Sequence, residues 1–166
     1  MKLRKSIYAL LVTFLFVAGC DTHAEVVNDQ YKRVVETVSG EFRIDQNTTK
    51  PEASYFELKL NNRLVADDKI YGPAFIVSYF RRNEKVEIAV VDVGGGGRGC
   101  PSMYKIIDFN YKEKVFVSKE FGNCSEKLVL SYDGKKFMLT LPSYESVGKK
   151  NIWVYSNNKL ETLKER

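Results

Sequence analysis

Carboxylates are the only side chains in this chain whose number and placement could support acid–base chemistry. The single histidine, His23, lies close to the N-terminus, where nothing would exclude water or hold a partner group. Ser–His and Cys–His mechanisms, and a zinc site built from His and Cys, therefore lack a second member. Asp92 is the best carboxylate candidate, because it interrupts an otherwise apolar strand pattern and would need a partner such as Arg98 if buried. We favour the interpretation of Asp92 as a strand residue at the edge of a glycine loop, so we predict neither a catalytic residue nor a metal site.

The segment Gly94-Gly95-Gly96-Gly97-Arg98-Gly99 has the G-x-G-x-x-G spacing of dinucleotide-binding loops. Such a loop must be followed by a helix, but Cys100-Pro101 and a strand pattern follow here. We therefore predict no nucleotide and no other cofactor, and interpret the glycines as a flexible connection. In a second interpretation the segment binds a carboxylate or an acidic loop of a partner. The groups that would do so belong to Gly95, Gly96, Gly97 and Arg98, and we include the neighbouring Asp92 among the candidate binding residues.

Aromatic side chains form a further set of candidate contacts, with ten Tyr, ten Phe and a single Trp, Trp153. Most Phe residues fall on predicted inner faces, so we expect them in the core. Trp and Tyr can cap a small β core or form a recognition surface, because their polar atoms tolerate water. We therefore include Trp153 among the candidate binding residues. The tyrosines open to both interpretations are Tyr79, Tyr104, Tyr111, Tyr144 and Tyr155.

The first twenty residues predict where the protein resides. Three cations precede an apolar run from Ile7 to Ala18, and Gly19-Cys20 follows. The run is shorter than the ~20 apolar residues of a membrane-spanning helix and is typical of a cleavable export signal. The segment Val17-Ala18-Gly19-Cys20 resembles the lipobox of bacterial lipoproteins, with Val17 where Leu is more usual.

This resemblance implies that Cys20 is acylated and becomes the mature N-terminus, and two or more acyl chains attach a protein firmly to a membrane. Asp21 resembles the signal that keeps enterobacterial-type lipoproteins in the inner membrane, the outer membrane being the alternative. Residues 1–19 would then be a cleaved signal peptide and residues 20–30 a lipidated N-terminus and tether. Residues 31–166 would form a single domain on the periplasmic face.

Length and charge narrow the classes of function. Removing residues 1–19 from the 166-residue chain leaves 147, which is enough for one domain with a substantial core. Without the three cations of the leader, 23 Lys and Arg face 21 acidic residues, a net charge of +2. Nucleic acid is therefore not an expected partner.

The two remaining cysteines, Cys100 and Cys124, form an even pair in an oxidising compartment. Met103 to Phe109 and Val115 to Ser118 read as two strands around a turn centred on Lys112. In an antiparallel hairpin the residue numbers of every cross-strand pair have the same sum. For a turn centred on Lys112 that sum is 224, and 100 and 124 also add up to 224. We therefore predict a disulfide that closes the open end of the hairpin and stabilises the fold by about 3 to 4 kcal/mol.

Period-2 alternation and tight-turn signals recur along the chain after the tether. We expect two-residue turns at Ser39-Gly40, Asn61-Asn62, Asp133-Gly134 and Asn157-Asn158. These turns pair Thr37 with Phe42, Val35 with Ile44, Glu36 with Arg43, Leu58 with Val65, Leu130 with Phe137 and Leu128 with Leu139. A helical stripe through Val27, Tyr31, Val34 and Val38 is the alternative for the first hairpin.

Successive hairpins predict an all-β antiparallel meander of about eight to ten strands. The stretch from Val86 to Val93 is apolar on both faces and should be a central, buried strand. The pattern leaves open whether the sheet closes as a barrel, stacks as a sandwich or forms a propeller-like array.

The sequence therefore favours a membrane-anchored, non-catalytic module that binds another envelope protein, with an immunity or inhibitor role against a toxin or hydrolase as its sharper form. An accessory subunit of an envelope assembly is the first alternative. A carboxylate-dependent envelope hydrolase that uses Asp92 is the second.

We expect intact-mass spectrometry of the membrane fraction to show a chain that begins at an acylated Cys20 and carries oxidised Cys100 and Cys124. The lipobox resemblance and the even cysteine pair are the reasons. An unmodified chain among cytoplasmic contents, with both remaining thiols reduced, would contradict the prediction.

Overall fold

The computed structural model of the protein describes residues 32–49, 54–83, 86–95, 99–109, 115–143 and 146–163. These ranges contain twelve strands and no helix, so no helix in them could span a membrane. Ten of the strands have four residues or more, which confirms the all-β prediction. The predictions for Cys20, Asp21 and the domain boundary at residue 30 lie outside the described residues.

The strands form three four-stranded antiparallel sheets, each built from strands consecutive in the chain. Sheet 1 contains β1 (Val34–Thr37), β2 (Gly40–Asn47), β3 (Tyr55–Leu60) and β4 (Arg63–Leu64). Sheet 2 contains β5 (Phe75–Asn83), β6 (Val86–Asp92), β7 (Tyr104–Asp108) and β8 (Phe116–Val117). Sheet 3 contains β9 (Val129–Tyr132), β10 (Phe137–Pro142), β11 (Lys150–Ser156) and β12 (Lys159–Leu163). The described chain therefore forms three separate four-stranded meanders and not one continuous sheet.

Sheet 2 is the middle layer, because each of its faces carries a separate hydrophobic core. The first core lies against sheet 1 and contains Val35, Phe42, Ile44, Phe56, Leu58, Ile70, Ala74, Ile76, Tyr79, Ala89, Val91, Val93, Ile107 and Phe109. The second core lies against sheet 3 and contains Phe80, Ile88, Val90, Tyr104, Ile106, Phe121, Phe137, Leu139, Leu141, Trp153 and Tyr155.

Strand β6 shows why the middle layer must be covered on both sides. Ala89 and Val91 belong to the first core, Ile88 and Val90 belong to the second, and all four are fully buried. Successive side chains of a strand point to opposite faces, so a strand apolar on both faces needs a partner layer on each. The prediction of a central, buried strand is confirmed.

Two of the predicted turns have the expected register. Asn61-Asn62 joins β3 to β4, and the N–H of Val65 donates to Leu58 O (3.0 Å). Asn157-Asn158 joins β11 to β12. All four asparagines have positive φ, between 49° and 64°, as a two-residue hairpin turn requires.

The first hairpin forms as a hairpin, not a helix, but its predicted register is wrong by two. Val35 pairs with Phe42 and Glu36 with Glu41, so the turn is Val38-Ser39. Long-range contacts select this turn: the N–H of Val38 donates to Glu87 Oε2 (2.8 Å). The Asn61 amide also bridges it by donating to Ser39 O (2.8 Å) and accepting from the N–H of Glu41 (3.1 Å). A shift of two keeps every side chain on its face, so the core is unaffected.

The hairpin between β9 and β10 is displaced in the same way. Leu130 pairs with Leu139 instead of Phe137, and Phe137 pairs with Tyr132. The loop has four residues instead of two because Asp133 Oδ1 accepts the N–H groups of Lys135 and Lys136 (both 2.9 Å). Side-chain acceptors of this kind stabilise a wider turn.

A buried carboxylate ties sheet 1 to sheet 2. Glu87 on β6 is fully buried and accepts hydrogen bonds from the N–H of Val38 and the hydroxyl of Tyr79. Arg81 Nε lies 3.8 Å from the same carboxylate. Burying a charge is unfavourable unless it is paired and hydrogen-bonded, and these contacts meet that need. Burial, and then Glu87, raise the pKa of Tyr79 well above its ordinary value.

The strands of the three sheets are aligned, so the stack has two distinct ends. At the end where the described chain begins, which we call the Lys32 end, Lys32 O accepts the N–H of Ile76 (2.9 Å). Gly94 and Gly95 after β6 and the described part of the connection between β10 and β11 lie at the same end, where the Asn123 amide donates to Pro142 O (2.6 Å). The four tight turns described above lie at the opposite end.

The three-layer arrangement predicts the effect of two adjacent substitutions in β7. Ile106 and Ile107 are both fully buried, in different cores. We expect Ile106→Ala and Ile107→Ala each to lower the free energy of unfolding by about 2 to 5 kcal/mol in urea titrations. In sheet 3, Leu139→Ala should cause a similar loss and Met138→Ala, on the outer face, a much smaller one. A change of less than about 0.5 kcal/mol for either isoleucine would contradict the arrangement.

Candidate functional site

Asp92 ends β6 and is held by groups of the following segment. Its carboxylate accepts the N–H of Gly94 (2.8 Å) and the hydroxyl of Ser102 (2.7 Å). Burial raises the pKa of Asp92 above its ordinary value, and the two hydrogen bonds oppose this shift. Arg98, the partner expected from sequence, lies outside the described residues. Through these two hydrogen bonds, Asp92 holds the chain that follows β6 in place.

The described part of the glycine segment is packed closely against its surroundings. Gly94 has φ +67°, and a Cβ atom there would lie 3.2 Å from Gly72 Cα. The N–H of Gly95 donates to Pro101 O (3.1 Å), and a Cβ on Gly95 would lie 1.6 Å from Cys100 O. Glycine is therefore required at both positions. Gly96, Gly97 and Arg98 lie outside the described residues, so their predicted role in anion binding stays a prediction.

The Cys100–Cys124 disulfide closes this segment, with the two Cα atoms 4.4 Å apart. The bond was predicted from cross-strand pairs whose residue numbers sum to 224, and the pairing of Ile107 with Val117 has this register. Nearer the disulfide the pairing slips by one residue, because Tyr104 exchanges two backbone hydrogen bonds with Phe121. The bond closes a loop with a sequence separation of 24 and holds the Lys32 end of sheet 2 together.

Trp153, predicted as a candidate binding residue, lies in the second core. Its side chain is 8% exposed and its ring lies 5.6 Å from that of Phe121. Strand β11 alternates, and Trp153 and Tyr155 fall on the side that faces sheet 2. The structure therefore corrects this assignment, since the inward face of sheet 3 removes Trp153 from any recognition surface.

Of the five tyrosines that could be either core or recognition residues, three are described by the structure. All three lie in the hydrophobic cores. Tyr104 donates to Ser125 O (2.6 Å), and burial, followed by the charge of Asp92, raises its pKa to about 12. The Tyr155 hydroxyl lies 2.7 Å from Asp108 Oδ2, and burial and this carboxylate raise the Tyr155 pKa strongly. Tyr79 is the third, and Tyr111 and Tyr144 lie outside the described residues.

The outer face of sheet 1 is charged and internally paired. Arg43 pairs with Asp45 (2.8 Å) and Glu41 (3.2 Å), and Lys59 pairs with Glu57 (2.9 Å) and Asp45 (3.2 Å). The charged groups of this face are paired with one another and exposed to water, so the face does not need a further layer packed against it.

The outer face of sheet 3 has the opposite character. One row across its four strands joins Val129, Thr140, Ile152 and Leu163 as direct cross-strand partners. The next row places Met138 beside Val154 and ends in Ser131 on one side and in Glu161, which is paired with Lys159, on the other. Val129 is 61% exposed and Leu163 is 49% exposed. We call this surface the apolar outer face; it consists of Val129, Met138, Thr140, Ile152, Val154 and Leu163.

A groove opens on this face toward the Lys32 end of the stack. Its volume is about 630 Å³, and the loop between β10 and β11 forms one wall. Three lysines, Lys127, Lys149 and Lys150, line it together with apolar atoms, and no acidic residue does so in the described chain. The remaining lining residues are Val129, Thr140, Pro142, Ser143, Val147 and Gly148. A groove of this size can hold a side chain or a short segment of a partner.

Comparison with protein-family models, with curated proteins and with solved structures gives no match to this chain. The residues that the structure describes include no group of three or more His, Cys, Asp and Glu side chains able to hold a metal ion.

The apolar outer face was not predicted from the sequence, although β11 carries a signal for it. The run Ile152-Trp153-Val154-Tyr155 is apolar on both faces, as β6 is. In β6 both faces are covered, whereas in β11 the described chain covers only one. A strand apolar on both faces therefore marks either a middle layer or an exposed binding face, and only the order of the layers distinguishes the two.

Asp92 and Asp133 provide a matched pair with opposite dependence on pH. The folded chain raises the pKa of Asp92 above 3.8, so ionisation of Asp92 destabilises the fold as pH rises through that value. We expect the midpoint of thermal unfolding of Asp92→Asn, relative to that of the unsubstituted protein, to rise between about pH 3 and pH 6.

The control is Asp133→Asn, whose relative midpoint should fall over the same interval. The N–H groups of Lys136 and Lys135 lower the pKa of Asp133, so its ionised form stabilises the fold above 3.8. A fall in the relative unfolding midpoint of both variants would show that Asp92 does not hold its proton more tightly when folded.

Proposed function

We propose that the protein is a lipid-anchored, non-catalytic module of the bacterial envelope that binds a segment of another protein on the apolar outer face of sheet 3. The lipobox resemblance of residues 17–20 supports the anchor. The contrast between the two outer faces supports the binding role and is the single observation that carries it.

Contiguous apolar surface on a folded domain marks an interaction site, because water-exposed apolar area is unfavourable. In the same chain, sheet 1 presents paired charges to solvent, whereas sheet 3 presents exposed Val129 and Leu163 beside the partly exposed Met138, Ile152 and Val154. Only one of the two outer layers is therefore suited to pack against a further surface.

The groove defines the chemistry of the partner. Lys127, Lys149 and Lys150 surround a mostly apolar floor that includes Val129 and Thr140. A segment with apolar side chains and flanking carboxylates would satisfy both, since charge complementarity guides association and apolar burial stabilises the complex. A second copy of this chain would bring three more lysines to the same place, so charge disfavours a dimer across this face.

A more specific version of this proposal is that the protein is an immunity or inhibitor protein. Three sheets, two cores and a disulfide give a rigid surface, and a rigid surface loses little conformational entropy on binding. A module of this kind, held at the membrane, would neutralise a toxin or hydrolase by occupying part of its surface, a task that needs no catalytic residue of its own.

Val129→Glu tests the surface, with Val34→Glu as the matched control. Val34 is 44% exposed on the outer face of sheet 1, so both changes place a carboxylate at an exposed strand valine. We expect Val129→Glu to weaken capture of the native partner from solubilised envelope at least about tenfold, because its charge opposes apolar packing and repels an acidic segment. Val34→Glu should leave capture unchanged, and both variants should retain their thermal unfolding midpoints.

Recovery of no protein in stoichiometric amount would overturn the proposal, and equal capture by both variants would overturn the assigned face. Capture of a toxin or hydrolase would support the inhibitor role. Recovery of a stoichiometric membrane complex would point instead to an accessory subunit.

A further inference from the structure

We propose that the Lys32 end of the stack rests on the surface of a bilayer that contains anionic phospholipids. The inference rests on the lipid anchor of the proposed function and adds the orientation of the domain. The anchor alone does not fix that orientation: residues 20–31 can span up to about 40 Å when extended, so the domain could turn freely beneath a long tether.

The point where the chain joins the folded domain is rigid. The guanidinium of Arg33 lies over the rings of Phe56 (4.6 Å) and Phe75 (4.9 Å). Lys32 O and Arg33 O accept the N–H groups of Ile76 (2.9 Å) and Ile44 (2.8 Å). The tether therefore leaves from a fixed position between sheets 1 and 2, at the Lys32 end.

Exposed apolar side chains on connections lie at this end. Tyr71 is 70% exposed, and Val147 is fully exposed at the tip of the loop between β10 and β11. The tight turns at the opposite end instead present Asn61-Asn62, Asn157-Asn158 and the loop from Asp133 to Lys136. Apolar tips at one end and polar turns at the other are the arrangement that a membrane interface selects.

Cations accompany the apolar tips. Lys69 Nζ lies 4.8 Å above the ring of Tyr55, and that ring lies 6.1 Å from the ring of Tyr71. Lys149 stands next to the loop of Val147. Tyrosine and lysine suit the interface, because each places an apolar body among acyl chains and a polar tip among headgroups.

Two of the acidic residues at this end are already paired within the domain. Asp67 and Asp68 are the acidic residues closest to Tyr71 in sequence, and Asp68 is paired with Lys105 Nζ (2.6 Å). Glu120 lies 3.8 Å from the same lysine. Lys69 and Lys149 therefore stay available to anionic headgroups, which attract cations close to the surface. Val147 and Lys149 also line the groove of sheet 3, so contact with the bilayer leaves Lys127 and Lys150 as the groove lysines available to a partner segment.

Single tryptophans report this orientation in the lipidated full-length protein. The positions are Tyr71→Trp and Val147→Trp at the Lys32 end and Leu64→Trp as the control, because Leu64 is 52% exposed beside the Asn61-Asn62 turn. The protein is reconstituted in vesicles of phosphatidylcholine and phosphatidylglycerol whose acyl chains are brominated, and bromine quenches a nearby indole. The signal of the buried Trp153 is subtracted using the unsubstituted protein.

We expect Tyr71→Trp and Val147→Trp to lose fluorescence in the brominated vesicles and Leu64→Trp to keep it. Adding Lys69→Gln or Lys149→Gln should reduce the loss, and so should vesicles of phosphatidylcholine alone. Quenching of Leu64→Trp as strong as that of the other two would overturn the orientation, as would quenching of none of the three.

Flotation of the same vesicles separates the two proposals. A full-length protein that floats with vesicles but shows the wrong quenching pattern keeps its anchor and loses the orientation. A protein that does not float overturns the anchor, and this inference with it.

Discussion

Burial of sheet 2 on both faces is the constraint on which the rest of the structure depends. Strand β6 alternates between two cores at every residue from Ile88 to Val91. Neither sheet 1 nor sheet 3 can be removed without exposing half of that strand to water, which is strongly unfavourable at about 25 cal/mol per Å² of apolar surface. The three meanders are therefore one cooperative unit, although each is local in sequence.

Polar contacts then fix how the layers are aligned. Glu87 joins the Val38-Ser39 turn to sheet 2, and the Tyr155 hydroxyl joins sheet 3 to Asp108 at the same end. At the Lys32 end, Asp92 and the Cys100–Cys124 bond hold the chain that follows β6. Each of these carboxylates has hydrogen-bond partners, so directional contacts align the layers that non-directional hydrophobic packing holds together.

The two outer layers differ in the side chains that they present. Ion pairs around Arg43 let sheet 1 end the stack in water, whereas Ile152 and Val154 leave sheet 3 suited to contact with another surface. A binding face on one side and a membrane-facing end at Lys32 would let a tethered module hold a partner beside the bilayer. Both proposed roles rest on the residues that lie on the outside of a stack whose inside is already complete.

The sequence by itself determined the class of fold, the disulfide, the central strand β6 and the Asn61-Asn62 turn, because alternation, cysteine parity and turn chemistry act within a few residues of the chain. Tertiary structure decided the rest. The first turn is Val38-Ser39 and not Ser39-Gly40 because Glu87 and Asn61, which are distant in sequence, hydrogen-bond to it. A prediction from local strand pairing does not include such contacts. Tertiary structure also buried Trp153 and left Ile152 partly exposed, since the alternation of a strand says which residues share a face, while only the order of the layers says which face meets water.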